Sequence, residues 1–171
     1  MFTVKIAKEY LKFSSAHFTI FNESQVERLH GHNYYVTTEI ECRDPIDGIA
    51  LEFGLLKKIM RSLVDELDER VLLPSESKFL KVVKNRDQFD VTFRGSSFAK
   101  FYSFPCEDVE ILPVSNISSE LLARYLCEQF GQKLAGRLKD DSGLELGSIV
   151  LSISVSIEET RGQSVKYRWE V

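Results

Sequence analysis

A chain of 171 residues, 43% hydrophobic and 28% charged, is long enough to bury the core of one compact domain and short for two. Its 26 acids against 22 bases leave a formal charge of −4. That balance argues against a general nucleic-acid binder, which carries a basic face, and against attraction to anionic lipid, while leaving room for a local basic pocket.

The opening residues Met1–Ile6 lack the apolar stretch and small-residue cleavage site of a secretory leader. No apolar run approaches the roughly 18 residues of a membrane helix. Cys42, Cys106 and Cys127 are odd in number, far apart and free of any CxxC spacing, so a cytoplasmic chain with reduced thiols is expected.

In chain order, Val4, Ile6 and Tyr10, then Leu11 and Phe13, predict an early strand with an irregularity in its middle. From Tyr34 to Cys42, the residues Tyr34, Val36, Thr38 and Ile40 alternate with Tyr35, Thr37, Glu39 and Glu41, a half-buried strand. Arg43–Gly48 is turn material. The period then changes: Leu56, Ile59, Met60, Leu63, Val64 and Leu67 fall on one helical face, and that helix should end near Leu67 to Arg70. Residues 75–112 are the least regular. Short strands at 81–83, 89–93 and 100–102 around the Arg94–Ser97 turn predict an insertion forming a small hairpin.

A second helix follows, with Leu122, Leu126, Phe130, Leu134 and Leu138 repeating every four residues. Asn116 or Ser118 can cap it, and Glu120 suits the positive end of its dipole. Next, Ile149, Leu151, Ile153, Val155 and Ile157 face one way along a strand and Ser148, Ser152, Ser154 and Ser156 the other, with Val150 the exception. After Arg161–Gln163, Val165, Tyr167, Trp169 and Val171 alternate with Lys166, Arg168 and Glu170. The order β-β-α-insertion-α-β-β indicates one α+β domain over residues 1–171 with an antiparallel sheet.

The three histidines are not scattered. His30 and His32 form His-Gly-His at the entrance to a strand, so two-residue spacing sends both imidazoles to one face. His17 ends the preceding strand, and antiparallel pairing could bring it beside them. Three neutral imidazoles without a fourth protein ligand make a catalytic zinc site with one open position. Gly31 would let the backbone bend between them. A plain turn and a core histidine account for the same spacing.

Glu159 is the second anomaly, since it extends the apolar face of the 149–157 strand. A carboxylate there needs a partner, such as a ligand offering two parallel N–H groups in the manner of a 2-amino-4-oxo pyrimidine ring, unless the strand stops at Ile157 and Glu159 meets water. Asp65, Glu66, Asp68 and Glu69 cluster at the end of the first helix, where acids oppose the dipole; a solvated charged face is the default account.

Taken in order, His17, Leu29-His30-Gly31-His32-Asn33-Tyr34, Glu52-Phe53-x-x-Leu56-Lys57, Leu67-Asp68, Ser118-Ser119-Glu120 and Glu159-Thr160 resemble the 6-pyruvoyl-tetrahydropterin and 6-carboxy-tetrahydropterin synthase family, over nearly all the chain except residues 75–112. The resemblance implies the tunnelling fold, a four-stranded antiparallel sheet with two helices on one face. It also implies trimers closing a barrel, a homohexamer built from two trimers, and sites lying between subunits. His17, His30 and His32 would hold zinc. Glu159 would anchor a pterin ring, with Ser118 and Ser119 where the family has threonines.

The chain departs from the family's pattern at three places, the mildest being Glu52-Phe53 where the family has Asp-Phe. The usual cysteine before the His-x-His pair is replaced by Val26, and the usual Leu-Asp-His reads Leu67-Asp68-Glu69. Glu27, three residues before His30, is the candidate base in place of the cysteine, as in members that cleave 7,8-dihydroneopterin triphosphate to 6-hydroxymethyl-7,8-dihydropterin. Asp68 or Glu69 is the candidate relay. The resemblance thus implies a zinc-dependent pterin lyase with a small-molecule substrate, of the folate type or of the 6-carboxy type that serves queuosine synthesis. A catalytically silent pterin- or purine-binding paralogue is the alternative.

Overall fold

The structure, a computed structural model, describes residues 1–45 and 48–171. Ile46 and Asp47, in the middle of the predicted 43–48 turn, lie outside the described residues.

The early strand divides as its irregularity predicted, into β1 (Phe2–Ile6) and β2 (Lys12–His17). A short ladder follows, β3 (Ile20–Asn22) with β4 (Gln25–Val26), and then the long β5 (His30–Cys42). Helix α1 (Phe53–Leu67) leads to β6 (Arg70–Pro74). The insertion forms β7 (Leu80–Asn85), β8 (Gln88–Arg94) and β9 (Ala99–Pro105), a three-stranded antiparallel sheet where a hairpin was expected. After β10 (Val109–Leu112) come the 24-residue helix α2 (Ser119–Ser142) and the single turn α3 (Leu146–Ile149). Strands β11 (Val150–Thr160) and β12 (Gln163–Glu170) close the chain.

β5 is the axis of the main sheet. Its first half pairs antiparallel with β2 and its second half with β1, so the two early strands lie end to end along one edge. Its other edge takes β11, and β11 takes β12, both antiparallel. This is the expected antiparallel core. The sheet then extends further than predicted, because β6 adds parallel to β2 and β10 parallel to β6.

Both helices cover one face. The six apolar residues predicted for α1 are the six it buries. α2 buries its four-residue repeat together with Ala123, Cys127 and Gly131. The core between helices and sheet includes Tyr34, Val36 and Ile40 of β5 and Ile153, Val155 and Ile157 of β11. A register shift between Val150 and Ser152 accounts for the exceptional Val150. The bulge turns Val150 into the core and leaves Leu151 half-buried, while Ile149 belongs to α3. A second, smaller core joins the insertion to the main sheet through Val91, Phe93, Leu73, Val109, Phe18 and Ile20. Among the described residues no helix is long and apolar enough to cross a membrane.

Two glycines on α2 should respond to the same substitution with opposite signs. A Cβ at Gly131 would lie 1.9 Å from the Trp169 ring, whereas one at Gly136 meets nothing within 4 Å. Gly131→Ala should therefore lose roughly 1–3 kcal/mol to overpacking, against about 1 kcal/mol of helix propensity in its favour. Gly136→Ala should keep that propensity benefit. Thermal unfolding should rank Gly136→Ala above the parent and Gly131→Ala below it; the reverse order would show that Trp169 does not pack on α2 in this way.

Candidate functional site

The pairing of β2 with β5 sets His17 opposite His30 and Ser15 opposite His32. Because β5 alternates faces, His30 and His32 share the face to which His17 points. The ring centroids of His17 lie 4.7 Å from His30 and 5.4 Å from His32, and those of His30 and His32 are 4.7 Å apart. One ligand nitrogen from each ring falls within 4.8 Å of the others. Gly31 sits in extended strand rather than at a bend. Its value is close approach, since a Cβ there would stand 3.3 Å from the Ser15 carbonyl oxygen.

Backbone carbonyls fix which imidazole nitrogens face the cluster. His17 Nδ1 lies 3.1 Å from the Ile117 carbonyl oxygen and His30 Nδ1 lies 2.8 Å from that of Arg28. A carbonyl only accepts, so Nδ1 carries the proton in both rings and each Nε2 presents a lone pair. Burial, first of all, lowers the His17 pKa, with the Ile117 contact working against it and His30 adding to it. His17 is thus neutral near pH 7, and its 3.6 Å approach to Glu159 Oε1 is no ion pair.

Glu159 joins this cluster. It occupies a bulge between Glu158 and Thr160 where the β11–β12 register shifts, and it lines the cavity. Its Oε1 accepts from the Tyr34 hydroxyl at 3.1 Å and stands 3.4 Å from His32 Nε2; its Oε2 accepts from the Ser119 hydroxyl at 3.4 Å. The Tyr34 hydroxyl is also 2.9 Å from His17 Nε2. One phenol proton therefore serves two acceptors. Lone pairs of His17, His30 and Glu159 converge with too few protons between them, which is a surrounding suited to a cation. Burial, followed by the charge of Glu159, pushes the Tyr34 phenol well up, so it remains a donor.

The sequence pattern marks Tyr34 only as part of a strand and a motif. Its role is legible there all the same, because it continues the two-residue spacing of His30 and His32.

Glu27 lies just beyond β4, with Oε2 at 4.0 Å from His30 Nε2. Burial would raise its pKa; hydrogen bonding from Thr19, then the nearby His30 and His17, outweighs burial and holds the carboxyl below its ordinary value. Thr19 donates its N–H to Glu27 Oε2 at 3.0 Å and its carbonyl accepts the Glu27 N–H at 3.0 Å. The pattern holds no sign of Thr19, which acts on Glu27 through its backbone first and its side chain second.

His17, His30, His32, Glu27, Glu159, Ser118 and Ser119 all line one cavity of about 660 Å³. Ser118 is the N-cap of α2, its hydroxyl oxygen accepting from Leu121 N–H at 3.4 Å. Asn116, the other cap candidate, instead brackets Ile20, accepting its N–H at 3.0 Å and donating to its carbonyl at 2.9 Å.

Asp68 and Glu69 are not brought to this cavity within one chain. Asp68 Oδ1 accepts from Ser14 N–H at 2.7 Å, and Glu69 N–H donates to the Ser14 carbonyl at 2.7 Å. The rest of that acidic cluster is paired on the surface, Asp65 with Arg61 at 2.8 Å and Glu66 with Lys133 at 3.5 Å. The cysteines lie elsewhere. Burial raises the pKa of Cys42 and pushes that of Cys127 up to about 12, so both stay thiols, and Cys106 belongs to the turn after β9.

The chain is similar to several known proteins. A Methanocaldococcus jannaschii protein provisionally named 6-carboxy-5,6,7,8-tetrahydropterin synthase is 35% identical over 92% of this chain and 90% of its own. The solved 6-pyruvoyltetrahydropterin synthase of Plasmodium vivax superposes with a TM-score of 0.86 at 25% identity, covering 99% of this chain and 98% of that one. A further structure of that protein is a catalytic-residue mutant in which a glutamate is replaced by alanine. The Plasmodium falciparum 6-pyruvoyl tetrahydropterin synthase gives a TM-score of 0.85 at 26% identity with the same coverage of the two chains. The model of the 6-pyruvoyl tetrahydropterin synthase family matches residues 5–170. With that match spanning almost the whole chain, the protein belongs to the 6-pyruvoyl tetrahydropterin synthase family.

Proposed function

We propose that the protein is a zinc-dependent lyase acting on the side chain of a 6-substituted dihydropterin, with 7,8-dihydroneopterin triphosphate as substrate. The observation that carries the reading is the convergence of three imidazoles, with Nε2 lone pairs fixed on His17 and His30, on a cavity that also holds two carboxylates.

His17, His30 and His32 would hold the zinc ion, which when bound supplies Lewis-acid polarisation of the side-chain hydroxyl and keto oxygens. Glu27 would act as the base. Its carboxylate is ionised at neutral pH, a third exposed and beside His30, so it can take the proton of a substrate hydroxyl placed against the imidazoles. A glutamate is also the catalytic residue named for the Plasmodium vivax relative. Glu159 would accept two N–H groups of the pterin ring, its carboxylate oriented by Tyr34 and Ser119.

A second copy of the chain would be needed to complete the site. Among the described residues the cavity wall carries Glu27, Glu120 and Glu159 but neither lysine nor arginine, so a triphosphate tail would have to meet cations from elsewhere. Asp68 and Glu69, turned away from their own cavity, would serve as relay for a neighbouring one. Among the described residues of one chain, β1 pairs only with β5 and β12 only with β11. Their outer edges are the ones by which subunits would close the trimer, two of which would stack as a hexamer.

Two measurements test the reading. Protein purified without chelator should carry about one zinc per chain, and His30→Ala should fall below about 0.3, because two imidazoles rarely retain zinc. Incubation with 7,8-dihydroneopterin triphosphate should yield a shortened side chain by mass spectrometry. Glu27→Gln should lower kcat about 10²-fold or more with zinc content unchanged. Zinc-loaded parent protein that leaves the compound intact would eliminate the lyase, and full turnover by Glu27→Gln would eliminate this base.

A further inference from the structure

The insertion reaches the candidate site through one short segment, residues 20–27, which ends in Glu27. Apart from its two ends, where Asn116 brackets Ile20 and Thr19 binds Glu27, that segment has little to hold itself in place. β3 and β4 share two paired positions with a register shift between them, and a ladder so short is marginal alone.

The insertion supplies what is missing. On the apolar side, Ile20 is buried with Val91 and Phe93, Val26 packs on the same cluster, and Phe18 stacks on Tyr102 with centroids 5.5 Å apart. On the polar side, Ser96 N–H donates to the Glu23 carbonyl at 2.9 Å, and the Ser24 and Ser96 hydroxyls are 2.8 Å apart. A Cβ at Gly95 would stand 2.4 Å from the Glu23 carbonyl oxygen, so this approach requires glycine.

The interaction nearest the chemistry comes from a lysine. Lys100 of β9 donates from Nζ to the main-chain carbonyl of Glu27 at 2.8 Å. It pairs across the ladder with the buried Phe93, on the sheet face turned toward the segment. Its ammonium makes no ion pair among the described residues. Holding a half-buried lysine in one rotamer costs side-chain entropy, and here the ammonium meets a backbone carbonyl rather than a carboxylate. That bond fixes the peptide plane after Glu27, and the Glu27 N–H on the Thr19 carbonyl holds the plane before it; the two planes together set the direction in which the side chain leaves the backbone.

We infer that the inserted sheet is a clamp that aims Glu27 at the imidazole cluster, with Lys100 as its positioning residue; this rests on the reading of Glu27 as the base. Lys100→Met keeps the aliphatic stem and removes the donors. It should lower kcat about tenfold with KM within about twofold of the parent, and Lys100→Arg should restore most of the loss. Zinc content should not change. Amide hydrogen exchange over residues 20–27 should quicken about tenfold while β5 and β11 stay protected. In a Glu27→Gln background, Lys100→Met should cost nothing further, because it acts through the group already lost.

Unchanged exchange over residues 20–27 would overturn the inference, as would a Lys100→Met kcat within about twofold of the parent or a second full loss on top of Glu27→Gln. Those outcomes leave Glu27 as the base. Parent-level turnover by Glu27→Gln would instead remove the base itself, and the catalytic purpose of the clamp with it, whatever the exchange shows.

Discussion

The site depends on one register. β2 and β5 pair so that His17 stands opposite His30 and Phe13 opposite Tyr34. Side chains alternate along a strand, so a slip of one residue would send His17 to the other face and leave His30 and His32 without their third partner. Several contacts resist that slip. Phe13 and Tyr34 stack with centroids 4.8 Å apart, and the Ser15 hydroxyl donates to the Leu67 carbonyl at 2.6 Å. Asp68 and Glu69 grip Ser14 by its N–H and its carbonyl. Glu69 does so at φ 56°, a conformation costing on the order of 1 kcal/mol for a residue with a Cβ. The acids after α1 thus have a structural task in their own chain, which is to hold β2 in the register that gathers the imidazoles.

The cavity is poor in protons rather than rich in positive charge. Two of its imidazoles commit their N–H groups to backbone carbonyls, and the phenol of Tyr34 lies between a ring nitrogen and a carboxylate. Burial keeps His17 neutral, while hydrogen bonding keeps Glu27 ionised. Neutral nitrogen donors beside an ionised carboxylate suit a divalent cation better than they suit an anion. The acceptor that stands next to His30 is Glu27.

The two hydrophobic cores have different effects on this arrangement. The larger, between the sheet and α1 and α2, sets β5 and β11 and so places the histidines and Glu159. The smaller, shared by the insertion with Phe18, Ile20 and the parallel strands β6 and β10, places the segment that ends in Glu27. The imidazole cluster and the candidate base consequently belong to different packing units that meet at the cavity.

Much of this arrangement is set by local pattern. The faces of α1 and α2, the alternation of β5 and the shared face of His30 and His32 follow from periods of 3.6 and 2, which the backbone imposes wherever a helix or strand forms. Tertiary structure decided the rest. Parallel addition of β6 and β10 joins strands distant in sequence and leaves no local trace. The bulge at Glu159 is a shift in pairing with β12, invisible from either strand alone. Asp68 and Glu69 stand beside a motif as relay candidates, yet within their own chain they are committed to Ser14. All three strands of the insertion show in its pattern, but their joining into one sheet rather than a hairpin, and its packing on Phe18 and Ile20, do not. By itself the sequence determined which residues have the chemistry and which face of its element each occupies; only the pairing of distant strands, set by burial and by backbone hydrogen bonds across the sheet, decided which of them meet.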